Sequence, residues 1–155
     1  MNSTSRDALR LIDGRWILDI ERAKELINAY NESTYRGYGT NREIDSAGYR
    51  LFRDGMATER RGLEEQIHWI GEVYGGVVGR FRWTWRDESR RIVENFPGDL
   101  SEYGSVPRSA QSVPPPESLS TLLHPFRATQ DWFVCATKFF FFACPDGFPI
   151  VDSRV

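Results

Sequence analysis

The sequence predicts a mainly α protein, a helical bundle folded as a single domain over residues 1–155. Apolar residues recur at the three- and four-residue spacing of amphipathic helices in several segments. The most apolar segment, residues 132–144, suits a central helix, whereas the one run that alternates like a strand, residues 81–85, has no evident partner strand. With 40% hydrophobic and 14% aromatic residues, the chain has ample material for a core.

In the first half of the chain, the sequence predicts two helices separated by a loop. The first helix covers residues 19–30, with Asp19 as its N-cap. Its apolar face consists of Ile20, Ala23, Ile27 and Tyr30. Residues 35–41 are rich in glycine and tyrosine, which is typical of a loop. The second helix covers residues 58–73 and ends before Gly75 and Gly76.

The second half predicts three further helices. Residues 76–85 are left open, and a helix is favoured for residues 86–96. A proline-rich linker follows near residues 104–116. A short helix over residues 117–124 is expected to stop at Pro125. The last helix, residues 130–143, is apolar nearly all round, so we expect other helices to enclose it.

The composition of the chain limits the kinds of function that are expected. The net charge of −2 argues against a protein that coats nucleic acid through bulk charge, although a local basic face is compatible with it. Cys135 and Cys144 lie in one predicted helix about 13 Å apart, too far for a disulfide. The sequence shows no signal peptide and no apolar run long enough to span a bilayer, so we expect a cytoplasmic protein with no membrane partner.

Lys138 is the sharpest functional lead. It is one of two lysines in the chain and sits in the most apolar segment. An ammonium group in apolar packing loses hydration, which favours the uncharged amine over the charged form. The uncharged amine can act as a nucleophile or a base. Asp152 follows fourteen residues later and could serve as a helix N-cap or as a second catalytic group.

Basic and aromatic residues interleave in residues 80–86. Arginine forks suit phosphate groups and indole rings can stack on unpaired bases, so this segment is a candidate DNA-binding element. The candidate residues are Arg80, Arg82, Trp83, Trp85 and Arg86. A half-buried amphipathic element with solvated arginines is the alternative. The sequence predicts no metal site and no cofactor, because His68 and His124 stand alone without ligand spacing.

The end of the chain resembles the helix-hairpin-helix DNA glycosylase superfamily. Residues 149–155 (PIVDSRV) resemble its PxxDTHV segment, and residues 136–138 resemble the end of its GxGxK hairpin. Residues 138–154 are also similar to a KxxHFxxPxxFPxxDSR pattern in bacterial proteins assigned to an 8-oxoguanine-glycosylase-like fold, with Phe141 in place of the histidine. Since the chain stops three residues after Asp152, the resemblance implies a truncated or divergent member.

This resemblance implies a protein that engages DNA. It implies that Lys138 attacks the sugar C1′ of a flipped nucleotide, that Asp152 stabilises the developing cation, and that Arg154 contacts phosphate. A catalytically silent relative is also consistent with it. The alternative is a non-enzymatic interaction factor, a bacterial or phage accessory protein that binds a protein partner or a second copy of itself through an aromatic surface. The chain has five tryptophans and ten phenylalanines, four of them consecutive at 139–142, which is more than its core requires and would suit such a surface.

Overall fold

A computed structural model describes residues 8–34, 37–75, 81–98, 116–128 and 132–145 of the chain. Within these residues the structure contains six helices and one two-stranded sheet, which confirms the mainly α prediction. The chain divides into two compact units, Met1–Ser46 and Ala47–Val155, called the N-terminal and C-terminal units below. The predicted linker near residues 104–116 lies outside the described residues except for its last position.

The N-terminal unit begins with a β-hairpin that the sequence analysis missed. Strand β1 (Leu9–Ile12) pairs antiparallel with β2 (Arg15–Leu18). Asp13 and Gly14 connect them with φ angles of 49° and 74°. Two consecutive positive φ angles define a tight hairpin turn whose twist matches the strands, and Asp-Gly is a favoured pair for it. The turn therefore explains why so short a hairpin forms here.

Helix α1 (Ile20–Glu32) confirms the first predicted helix and its cap. The Asp19 carboxylate accepts a hydrogen bond of 3.0 Å from the backbone N–H of Arg22, which satisfies one of the free donors of the first turn. The predicted apolar face is present, but no residue of α1 is buried. Ile20, Ile27 and Tyr30 are 60%, 58% and 50% exposed.

Helix α2 (Asn41–Leu51) was not predicted. It begins with a capping box, in which Thr40 Oγ1 accepts from the Glu43 N–H at 3.3 Å and Glu43 Oε2 accepts from the Thr40 N–H at 2.8 Å. The backbone and hydroxyl hydrogen bonds from Thr40 hold the pKa of the Glu43 carboxyl below its usual range. Of the loop predicted over residues 35–41, residues 37–40 are not helical, whereas Asn41 is the first residue of α2. Thr40 forms a β-bridge with Thr34.

The C-terminal unit is built around four helices. They are α3 (Arg60–Glu72), α4 (Trp85–Glu94), α5 (Pro116–Arg127) and α6 (Phe133–Ala143). Helix α3 contacts α4 and α6, and α5 contacts the same two helices, so the four close into a ring. The predicted helices at 58–73, 86–96 and 130–143 are thus present with shifted ends, and residues 81–84 form a turn instead of a strand.

Pro125 does not stop α5, contrary to the prediction. It lies inside the helix, near its last turn, and its ring is fully buried. A proline removes one backbone hydrogen bond from a helix, and here that loss falls where few turns remain to be disrupted. Burial of the ring in the core favours the helical position.

Helix α6 supplies the centre of the core, as predicted. Cys135, Ala136, Phe139 and Phe140 are fully buried, and Phe142 is 2% exposed. The aromatic rings meet mostly edge to face, as in the contacts of Phe139 with Phe52 at 5.3 Å and Phe140 at 5.2 Å. Such contacts stabilise the folded state in addition to the stabilisation that comes from burying the rings.

Helices α3 and α4 approach closely where Gly71 faces Trp85. A Cβ atom added at Gly71 would lie 1.9 Å from the indole ring of Trp85, which is fully buried. The Trp85 Nε1 donates a hydrogen bond of 2.9 Å to the carbonyl of His68, one turn earlier on α3. Glycine is therefore required at position 71 for this packing.

We expect Gly71→Ala to destabilise the protein by about 3 kcal/mol or more, the upper end of the cost of overpacking a core. Urea unfolding followed by far-UV circular dichroism measures the change. The matched control is Gly98→Ala, since no described atom lies within 4 Å of its added Cβ. Equal stability of the two variants would contradict the close approach of α3 and α4.

Candidate functional site

Lys138 is buried on α6, with 7% of its surface exposed. Its Nζ donates a hydrogen bond of 3.3 Å to the backbone carbonyl of Gly75 and lies 5.7 Å from the centroid of the Tyr74 ring. Gly75 follows the C-terminal end of α3, where it adopts a φ of 86°. The sequence analysis expected the amine to face either a cavity beside Asp152 or the solvent, and the structure places it against backbone instead.

The contacts of Lys138 suit a positive charge. A carbonyl oxygen carries partial negative charge and accepts hydrogen bonds, and the face of an aromatic ring attracts cations. An attack by the Lys138 amine on a substrate would require its Nζ to leave the Gly75 carbonyl. Asp152 and Arg154 lie outside the described residues, so the predicted Lys138–Asp152 pairing and the phosphate contact of Arg154 stay predictions.

Cys135 lies one helical turn before Lys138. Burial raises the pKa of its thiol to about 12, and the positive charge of Lys138 opposes that shift in part. The thiol is therefore protonated near neutral pH and is a poor nucleophile. Cys135 and Cys144 are both buried and are not joined by a disulfide, as predicted.

The predicted DNA-binding arginines face acidic residues of α3. Arg82 Nε lies 4.0 Å from Glu72 Oε1, and Arg86 Nη1 lies 3.5 Å from Glu64 Oε1. Arg90, one turn further, also contacts Glu64 at 3.2 Å. Because the arginine side chains are more than half exposed, such pairs contribute little to stability, and a phosphate group could compete for them. Arg80 lies outside the described residues.

The two candidate tryptophans differ completely in exposure. Trp83 is 90% exposed, in the turn before α4. Trp85 is fully buried against Gly71 and meets the Trp132 ring at 5.2 Å, edge to face. The prediction that Trp85 stacks on a nucleic-acid base is therefore wrong for this structure, because neither face of its ring reaches solvent.

His68 lies between Glu64 and Glu72 at four-residue spacing on α3. Burial, and then the charge of Arg86, hold the pKa of its imidazole below the usual range, while Glu72 and Glu64 oppose the shift. Its Nδ1 is buried and accepts or donates no hydrogen bond within the described part of the chain. No group of three metal-ligating side chains is found among the residues that the structure describes.

The apolar surface of the molecule is not where the sequence analysis expected it. Three of the four consecutive phenylalanines, 139, 140 and 142, are in the core, which corrects the prediction that this run forms an interface. Exposed large apolar residues cluster instead in the N-terminal unit, on the hairpin, α1 and the following turn. The exposed residues, together called the N-terminal apolar surface, are Leu9, Leu11, Ile12, Ile17, Leu18, Ile20, Leu26, Ile27, Tyr30 and Tyr38, which are 37–60% exposed. In the register of the hairpin, Leu9, Leu11 and Leu18 lie on one face of the sheet and Ile12 and Ile17 on the other.

Comparison of the chain with protein families, with curated proteins and with solved structures found no match. The glycosylase-like resemblance of residues 136–155 therefore stays a prediction. None of the described helices is long and apolar enough to cross a membrane.

We expect His68 to make the protein less stable at mildly acidic pH. The folded state binds the imidazole proton less readily than the unfolded chain does, so stability falls as pH drops below about 6.5, the ordinary histidine pKa. Urea unfolding at several pH values between neutral and mildly acidic should show a smaller decrease for His68→Gln than for the wild type. The exposed His124, changed to Gln, is the control and should keep the wild-type decrease. An unchanged pH dependence in His68→Gln contradicts the assignment.

Proposed function

We propose that this protein is a non-enzymatic interaction factor whose N-terminal apolar surface binds another protein chain. The observation that carries the proposal is the cluster of ten exposed large apolar residues within residues 9–38. Exposed apolar residues are ordinary when scattered, but a cluster of this kind on one unit is typical of binding sites.

The elements beneath this surface also favour a covered state. Helix α1 has thirteen residues and buries none of them. Isolated helices of that length are marginal in water, and most helices in proteins are stabilised by the packing of an apolar face. A two-stranded hairpin is likewise marginal without a third strand or a packing partner. A bound protein chain would supply further packing to α1, which buries no residue in the described part of the chain, and to the hairpin.

A photo-reactive amino acid at position 27 tests the proposal directly. In cells that make the chain from its own gene, illumination should yield discrete protein adducts, because Ile27 is at the centre of the α1 face. The control position is Arg61 on α3, whose side chain is 91% exposed and lies outside the surface. Cross-linking at position 27 that is no stronger than at position 61, or that stays within one chain, contradicts the proposal.

Engagement of DNA is the second candidate. It is favoured by Trp83, which is 90% exposed and directly follows Arg82. A ring that could stack on an unpaired base is thus adjacent to a guanidinium group, for which a phosphate would have to compete with Glu72. With the glycosylase-like resemblance it would extend to base excision or abasic-site cleavage by Lys138, with Asp152 as its partner. The ammonium of Lys138 would have to leave the Gly75 carbonyl and lose its proton before it could attack.

Two measurements test this candidate. The protein should bind single-stranded DNA at low salt, and this binding should weaken as the salt concentration rises. Trp83→Ala should reduce the affinity by about tenfold, which is the contribution expected from the stacking of one base. Borohydride reduction with an abasic-site oligonucleotide should trap a covalent adduct in the wild type and none in Lys138→Gln. Absence of DNA binding at low salt argues against the whole candidate, and binding without an adduct limits it to a catalytically silent protein.

A further inference from the structure

We infer that His68 is a pH-sensitive switch between α3 and α4: on taking up a proton it competes for the Glu64 carboxylate and so frees Arg86 to bind a phosphate group of single-stranded DNA. The inference rests on the second candidate function, engagement of DNA, and adds its regulation. Three features carry it: the buried nitrogen of the His68 ring, the carboxylates on either side of that ring, and the arginine that one of these carboxylates holds.

The ring of His68 has a buried nitrogen that would lack an acceptor once the ring is protonated. Its Nδ1 is buried and has no hydrogen-bond partner within the described part of the chain. A neutral imidazole carries a proton on one of its two nitrogens, whereas the protonated ring is a donor at both. A buried donor without an acceptor is costly, so protonation favours a rearrangement that brings an acceptor to the ring.

Two carboxylates on the same face of α3 are placed to supply that acceptor. Glu64 and Glu72 lie four residues before and after His68, the spacing at which side chains on a helix are neighbours. Burial and then the charge of Arg86 lower the pKa of the imidazole, and the charges of Glu72 and Glu64 raise it. Movement of Glu64 toward the ring and of Arg86 away from it would therefore both favour the protonated form.

The charged side chains that the helices packed on α3 bring to this face come from α4. Those that α4 and the turn before it present to α3 are Arg82, Arg86 and Arg90. Helix α6 carries Lys138, whose ammonium donates to a backbone carbonyl, and Cys135, whose thiol is uncharged because its pKa is about 12. Among the described groups on these two helices, it is Arg86 whose charge acts on His68.

Arg86 is held by Glu64 while the histidine is neutral. Its Nη1 lies 3.5 Å from Glu64 Oε1, and its side chain is 53% exposed, so a phosphate group can reach it from solution. Arg90 shares the same oxygen at 3.2 Å but also contacts Asp87 at 3.3 Å, so it keeps an ion pair when Glu64 moves. Trp83, three residues before Arg86, exposes a ring that could stack on a base of the same strand.

Proton uptake and DNA binding are then coupled with the same sign. A protonated His68 frees one guanidinium group and adds a positive charge to the face that the DNA approaches. A bound phosphate in turn draws Arg86 from the ring and leaves Glu64 to it, which favours the proton. Linkage requires the two effects to be equal in size, so acidification should strengthen DNA binding.

The affinity of the purified full chain for oligothymidine at low salt, measured by fluorescence anisotropy at several pH values, tests the inference. Thymine does not titrate in this range, and His68 and His124 are the only histidines of the chain. Between about pH 7.5 and 5.5, on either side of the ordinary histidine pKa, we expect the Kd of the wild type to fall by a factor about fivefold larger than that of His68→Gln. His124→Gln is the control and should keep the wild-type pH dependence.

Glu64→Gln tests the same switch from its other end. It removes the carboxylate that competes for Arg86, so we expect tighter binding near neutral pH and a smaller pH dependence than in the wild type. The matched control is Glu65→Gln, which removes the same charge one residue further along α3, where it pairs with Arg61, and should keep the wild-type pH dependence. Far-UV circular dichroism at each pH verifies that the variants are folded, and Glu64→Gln alone decides if His68→Gln unfolds.

Failure of the switch and failure of the DNA candidate give different results. Binding whose pH dependence is the same in the wild type, His68→Gln and Glu64→Gln overturns the inference and leaves DNA engagement standing. Absence of oligothymidine binding at every pH rejects the switch together with the DNA candidate.

Discussion

The close approach of α3 and α4 at Gly71 is the constraint on which much of the C-terminal unit depends. The Trp85 ring fills the space that a side chain at Gly71 would occupy, and its N–H is satisfied by the His68 carbonyl. This fixes both the distance and the register of the two helices. Because of that register, arginines at four-residue spacing on one side meet the Glu64, His68 and Glu72 stripe on the other. The lowered pKa of the His68 imidazole, caused by burial and by Arg86, follows from the same geometry.

Burial of Lys138 illustrates how the environment of a group limits its chemistry. Removal of an ammonium from water costs several kcal/mol, and a charged hydrogen bond returns about 1.5–3 kcal/mol. At Lys138 the acceptor is the Gly75 carbonyl, and the Tyr74 ring adds to that return. An attack by the Lys138 amine on a substrate would have to break these contacts. A lysine in an apolar helix can thus join two helices without any catalytic role.

Local signals in the sequence were sufficient to predict some helices. For other elements, equally clear signals were present but were overlooked. Asp19 marked the start of α1, and the apolar run marked α6 as the enclosed helix. The Asp13-Gly14 turn and the Thr40–Glu43 capping box carried equally direct signals for the hairpin and α2. Pro125 could not be placed from sequence, because burial of its ring in the core outweighs a local preference.

The candidate site was less predictable than the fold for a related reason. Periodicity states which side chains share a face, but it does not state what covers that face. The same helical spacing describes α1, which buries nothing, and α3, whose Leu63, Ile67 and Ile70 are fully buried. In the same way, the exposure of Trp83 and the burial of Trp85, two residues apart, depend on contacts with α3 that are distant in sequence.

The character of the exposed surface bears on the kind of partner it can select. The aromatic residues that suggested an interface mostly contact one another in the core, as Phe142 does with Phe52, Trp69 and Tyr74. The N-terminal apolar surface that remains exposed is largely leucine and isoleucine. Aliphatic side chains offer neither hydrogen bonds nor ring faces, so selectivity must come from shape and spacing. On α1 the apolar residues recur at three- and four-residue spacing, so a partner must offer side chains that fill the gaps between them.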